Sequence, residues 1–190
     1  MGKVALDTNL MVYSLIECHP ASGVCDSFIK DPRRSFYTTS LTPFEVYYAL
    51  HRVYNVVGID AASKALSLLE APLAIVDPAT ADVRPAIERC SSKSLDVNDS
   101  LLIQMCVRLD IPSLASDDRR LLKACEEEGI QPVSPVDDEQ RQLMLKWEQE
   151  KLSPSGLPRL LARIHSWMQQ ADSQVARSFL EATGNLRRMP

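Results

Sequence analysis

Long hydrophobic runs are missing from this 190-residue chain. Nothing approaches the roughly 20 consecutive apolar residues that cross a bilayer, so no membrane span is expected. The N-terminus reads as a strand rather than as a secretory signal, which makes a cytoplasmic protein the expectation. The five cysteines (Cys18, Cys25, Cys90, Cys106 and Cys125) contain no CxxC pair and form an odd set. They read as reduced thiols, not as a disulfide framework. Cys18, His19 and Cys25 hint at zinc, but no second pair completes four ligands. The three histidines, His19, His51 and His165, stand in no Ser-His-Asp or Cys-His setting. His51 and His165 fall in helical patterns and are expected to be on the surface or partly packed.

An excess of positive charge is missing too. Residues 1–137 hold 13 Lys and Arg against 19 Asp and Glu, net −6, while residues 138–190 hold 8 against 6, net +2. An acidic body argues against broad, purely electrostatic nucleic-acid binding. It suits acids gathered in one place and offset by a cation. There is no internal repeat and no low-complexity tract. What is present, 45% hydrophobic and 24% charged residues, is enough to bury a core.

Apolar runs that read as strands occur at Val4-Ala5-Leu6, Phe36–Thr39, Leu73–Val76, Ile111–Ala115 and Ile130–Val133. Helical patterns fill the intervals. Thr42-Pro43-Phe44-Glu45 combines an N-cap, a Pro at the first helical position and a Glu three after the cap, and its helix should run to about Asn55. A helix spans Ala81–Cys90, and a polar loop over Ser91–Ser94 leads through Leu95–Asp99 to a strongly apolar helix carrying Leu101, Leu102, Met105, Cys106 and Leu109. The alternation predicts a three-layer α/β/α fold with a mostly parallel central sheet over residues 1–137. Residues 138–190 show no strand signal and read as an all-helical extension, broken at Ser153–Gly156 and near Asp172.

Four acids recur at strand–helix junctions. Asp7 follows the first strand, Glu45 opens the helix after the second, Asp99 opens the helix before the fourth, and Asp118 follows the fourth. Capping accounts for each separately, since Glu45 follows Thr42 and Asp99 follows Asp96 at capping-box spacing. It does not account for acids at all four. In open parallel sheets ligands bind beyond the carboxyl ends of the strands. Clustered carboxylates repel and raise one another's pKa unless a cation intervenes, and Mg²⁺ or Mn²⁺ suits an all-oxygen set.

At these residues the sequence resembles the PIN-domain nucleases, and within them the VapC-like toxin ribonucleases. The resemblance is carried by Leu6-Asp7-Thr8-Asn9, Phe44-Glu45-Val46, Asn98-Asp99-Ser100-Leu101-Leu102 and Ser116-Asp117-Asp118-Arg119-Arg120-Leu121, in the family's order. It implies hydrolysis of RNA phosphodiesters with Mg²⁺ or Mn²⁺. The four acids Asp7, Glu45, Asp99 and Asp118 would be catalytic, with Asp7, Asp99 and Asp118 as metal ligands. Thr8, Asn9 and Ser116 match the small polar neighbours of that site, with Asp117 and Asp96 beside them. Asp118, three residues before Leu121, aligns with the family's acid better than Asp117. An antitoxin and a homodimer are the protein partners implied; the alternative is a catalytically quiet PIN-like domain that binds RNA or protein.

Rival readings fail on particular residues. A haloacid-dehalogenase phosphatase needs a second acid two residues after the first, where Asn9 stands. A receiver domain needs an acidic pair before its phosphoacceptor and a later Lys. In the extension, Leu157, Leu160, Leu161, Ile164, Trp167 and Met168 form one apolar stripe, for packing in cis or for a dimer or partner surface. Arg159, Arg163, Arg177, Arg187 and Arg188 are its candidates for contact with RNA.

Overall fold

The structure is a computed structural model that describes residues 2–152 and 159–183. The Ser153–Gly156 break, Leu157, Arg187 and Arg188 lie outside the described residues, as do the side chains of Arg159, Leu160, Leu161 and Arg163. The chain divides into two units, Met1–Met144 and Leu145–Pro190.

The first unit is built on strands β1 (Gly2–Leu6), β2 (Arg34–Thr39), β3 (Leu73–Val76), β4 (Ser113–Ala115) and β5 (Gln131–Val133). They form one sheet in the order β3-β2-β1-β4-β5, with every neighbouring pair parallel. The helices between them are α1 (Thr8–Leu15), α2 (Ser22–Ile29), α3 (Thr42–Tyr48), α4 (Gly58–Ser67), α5 (Thr80–Lys93), α6 (Val97–Leu109) and α7 (Arg119–Glu127). This is the expected α/β/α arrangement.

Strand alternation sorts the core into two faces. Val4, Leu6, Phe36 and Ala115 pack with Leu10, Met11, Val46, Leu50 and Ala65 under α1, α3 and α4. Ala5 and Leu114 turn the other way, onto Leu102, Ile103, Met105, Cys106 and Leu121 of α6 and α7. Each fully buried aliphatic side chain stabilises the fold by roughly 2 kcal/mol, so both layers contribute to holding the sheet in place.

Two local expectations need correction. The helix expected to run unbroken to Asn55 changes to a π-helical turn at Ala49–Val53, and Asn55 ends it in the left-handed region at φ 57°. The polar loop expected from Ser91 is the last turn of α5, which reaches Lys93 and ends on left-handed Ser94 (φ 53°). Only three residues then separate it from α6, so α6 starts from a tight turn.

The second unit continues α8 (Asp138–Lys151) and adds α9 (Arg159–Ala171) and α10 (Ser173–Thr183), which pack on each other. Asp172 caps α10 by accepting from the backbone N–H of Gln174 at 2.8 Å. His165, expected to be surface or partly packed, is buried with its ring 6.5 Å from that of Phe179. Trp167 of the expected stripe is 68% exposed. No helix among the described residues is long and apolar enough to cross a membrane.

Candidate active site

From β1 the chain moves outward to β2 and β3, then returns to the other side for β4 and β5. The carboxyl ends of β1 and β4 therefore flank the point where strand order reverses, the position of ligand crevices in such sheets. Asp7 and Ser116 sit there. The Asp7 N–H donates to Ala115 O at 3.0 Å, and the Ser116 hydroxyl donates to Asp7 Oδ2 at 2.6 Å. Ser116 Oγ in turn accepts from Asn9 Nδ2 (3.1 Å) and from the Asp118 N–H (2.9 Å). Asp7 occupies the N-cap of α1 but makes no side-chain cap bond, and it is 8% exposed.

In the sequence Thr42 reads as the N-cap of α3, with Glu45 at capping-box spacing from it. The helix instead starts from Leu41, and no side chain caps it. Thr42 is buried, and its hydroxyl pairs at 2.7 Å with Thr38 Oγ1, which donates to Leu6 O at 3.0 Å. Freed from capping, the Glu45 carboxylate accepts from Thr8 Oγ1 at 2.6 Å and from the side-chain amide of Asn98. Asn98 is the residue that sequence reasoning missed as a site neighbour. It adjoins Asp99, but nothing in the sequence pairs it with an acid 53 residues away.

In α6, Asp96 is the N-cap and accepts the Asp99 N–H at 2.8 Å. The reciprocal half of that box is absent: the Asp99 carboxylate makes no hydrogen bond or ion pair among the described residues. Asp118 does cap, accepting from the backbone N–H groups of Arg120 (2.7 Å) and Leu121 (3.4 Å). Asp117 is turned aside, bound at 2.8 Å by Arg141 Nε from α8. Of the four junction acids, only Asp118 is accounted for by capping.

Burial pushes the Asp7 carboxyl up to about 7, with Glu45 and Asp118 adding repulsion and the Ser116 hydroxyl and Thr8 N–H opposing it. Asp99 is pushed up to about 8, first by desolvation, then by Asp7, Asp96, Asp118 and Glu45. Glu45 is raised by burial against the pull of Thr8 and Asn98. The four acids thus share one electrostatic environment, and no Lys or Arg pairs with Asp7, Glu45 or Asp99 among the described residues. Among those residues, no three acid, His or Cys side chains are closed around a common point. By donor chemistry, all oxygen and short of positive charge, the set fits a hard divalent cation.

A family model described as PIN domain matches residues 4–127. Among solved structures, the chain is similar to the Sarcin-Ricin loop cleaving toxin VapC20 of Mycobacterium tuberculosis, with a TM-score of 0.56 and 13% identity over 64% of this chain and 94% of that one. It is also similar to VapBC2 of Rickettsia felis bound to a DNA fragment of its promoter (TM-score 0.50, 18% identity, 70% of this chain and 98% of that one). A toxin–antitoxin complex of Klebsiella pneumoniae gives a TM-score of 0.50 at 11% identity, over 70% and 98%. No curated protein matches the sequence.

Proposed function

The chain belongs to the PIN-domain family, and from that premise we propose that it is a divalent-metal-dependent endoribonuclease, the toxin of a toxin–antitoxin pair. The observation that carries the reading is the set of desolvated, repelling carboxylates at the β1/β4 switch point with no protein cation to offset them. Asp7, Asp99 and Asp118 are the residues that would hold Mg²⁺ or Mn²⁺. When bound, the cation supplies polarisation of the phosphodiester and acidification of the attacking water. Glu45, fixed from two sides by Thr8 and Asn98, orients that water and accepts its proton. Ser116, just beyond β4, holds Asp7 in place and is itself bound by Asn9 of α1.

An antitoxin is the partner this reading calls for, since one of the similar structures is a toxin–antitoxin complex by its name and another is named a toxin. A homodimer in the cytoplasm completes the proposal. The test is cleavage of cellular RNA by the full-length protein with Mn²⁺ and with chelator, read by mapping the new ends. Asp7→Asn keeps shape and hydrogen bonding but removes charge. It should cut slower by a factor on the order of 10³, equivalent to about 4 kcal/mol of lost charge stabilisation. Equal cleavage by the variant, or no Mn²⁺-dependent cleavage by the wild type, would leave the quiet RNA- or protein-binding domain as the better reading.

A further inference from the structure

Helix α7 buries Leu121, Ala124 and Cys125, and turns Arg120, Lys123 and Glu127 outward along one face. Opposite them stands the last turn of α5. Between the two helices lies a cleft of about 350 Å³ lined by Ser92, Lys93, Arg120, Lys123, Ala124 and Glu127. Three cations meet one acid there, in a body whose overall charge is negative.

The three cations are differently engaged. Lys93 is shared between Glu127 at 3.0 Å and Glu128 at 3.3 Å, which fixes the wall of the cleft. Arg120 is 73% exposed at its side chain and touches Asp118 only at 3.4 Å. Lys123 is exposed and makes no hydrogen bond or ion pair among the described residues. The cleft therefore begins beside a junction acid, at Arg120, and one helical turn further on offers an unpaired ammonium.

We propose that this cleft seats a backbone phosphate of single-stranded RNA next to the one being cleaved, with Arg120 at its inner end and Lys123 at its outer end. The inference rests on the ribonuclease reading and names how the substrate strand is led away from the acids. A negatively charged body cannot attract RNA diffusely, so the strand needs a local cationic place to leave the acidic site. Residues three apart on a helix are neighbours on its surface, so Arg120 and Lys123 act on one anion or on two in sequence. Grooves that follow single strands pair such cations with the backbone and carry no base preference.

The test is equilibrium binding of a fluorescent single-stranded RNA decamer to the metal-free full-length protein across a salt series. Each phosphate contact contributes about −0.7 to the slope of log K against log salt for single strands. Lys123→Ala should weaken binding and make the slope shallower by about 0.7, and Lys123→Arg should restore both. Lys30→Ala, at an exposed lysine just after α2, should leave the slope as in the wild type. An unchanged slope in Lys123→Ala, or an equal change in Lys30→Ala, overturns the proposal. Binding with chelator requires no cleavage. A wild type that cuts no RNA in Mn²⁺ would therefore defeat the ribonuclease reading alone, while the slope still reports on the cleft. With an active enzyme, Lys123→Ala should raise KM for the decamer and leave its kcat unchanged.

Discussion

Acids away from the carboxyl edge of the sheet and three acids at that edge, Asp7, Glu45 and Asp99, are treated in opposite ways. Asp82, buried in α5, is held by Arg108 at 2.9 Å. Glu128 is held by buried Arg89 at 3.2 Å, and Asp31 by Arg33 at 2.9 Å and Arg34 at 3.2 Å. The hydrogen bonds from Arg33 and Arg89 hold Asp31 and Glu128 below the usual carboxylate range. At the edge, Asp7, Glu45 and Asp99 have hydroxyls and amides, or nothing, where the others have guanidinium groups, and all three are pushed up. The chain pairs Asp31, Asp82 and Glu128 with arginine. Its failure to do so at one place leaves a charge deficit that a cation from solution can fill.

The largest expected consequence is a stability profile with two limbs. For Asp7 and Asp99 the folded pKa lies above the unfolded value near 4, so the folded state binds protons that the unfolded chain has released. Their stabilising contribution is complete below about pH 4 and is lost as pH rises through about 7 to 8. For Asp31, Glu128 and Asp138 the folded pKa is depressed, so their contribution is present above the unfolded value and fades as pH falls through the folded one. Metal-free protein should therefore lose stability, by on the order of a few kcal/mol, between about pH 4 and 8. Mn²⁺ should restore it mainly at the upper end, because it competes with the departing protons. Urea midpoints across pH, with chelator and with Mn²⁺, check this; a metal increment that grows as pH falls would separate the acids into unrelated groups.

Substitution sharpens the same contrast. Asp82→Asn leaves Arg108 short of its partner and should cost about 1–3 kcal/mol with little effect on cleavage. Asp99→Asn removes a repelling charge and should leave metal-free stability at pH 8 equal to the wild type or higher, while cleavage is lost. Urea unfolding and RNA cleavage on both variants decide it. Equal destabilisation by the two would erase the distinction between edge acids and the rest.

Glu45→Gln comes next in size, with cleavage falling about 10- to 100-fold and stability changing by less than about 1 kcal/mol. A capping Glu would tolerate Gln, since either completes a capping box. Here Leu41 and not Thr42 is the cap, and both carboxylate oxygens are engaged as acceptors. A Gln side chain presents a donor to one of those partners. Wild-type cleavage rates in this variant would remove Glu45 from the chemistry.

Much of the fold was legible because strand runs such as Val4–Leu6 and Leu73–Val76 are short, apolar and bounded by acids or prolines. The positions of the four acids followed from those boundaries. The hidden parts depend on contacts between distant segments. The Thr38–Thr42 hydroxyl pair moved the start of α3 by satisfying a buried threonine inside the fold, which local capping rules cannot see. The Glu45–Asn98 bond and the Asp117–Arg141 pair link residues 53 and 24 positions apart. The tight turn at Ser94 was obscured because serine adopts the left-handed region there in place of the usual glycine or asparagine.

The smallest expected effect tests two adjacent acids, Asp117, held by Arg141 at 2.8 Å, and Asp118, which exposed Arg120 reaches only at 3.4 Å. Asp117 faces Arg141, which also binds Asp138 at 2.8 Å and the Ser134 hydroxyl at 2.8 Å. Asp117→Asn keeps an oxygen acceptor for the guanidinium, and Arg141 keeps its other two partners. The cost should be about 1 kcal/mol in stability, with cleavage within about threefold of the wild type. Asp118→Asn provides the contrast. Asparagine caps helices as well as aspartate, so α7 should persist and stability should change little. Its carboxylate, which repels both Asp7 and Asp99, would be gone, and cleavage should fall with it. If Asp117→Asn abolishes Mn²⁺-dependent cleavage and Asp118→Asn does not, the ligand is the residue tied to Arg141, and pairing with arginine would not mark an acid as structural in this protein.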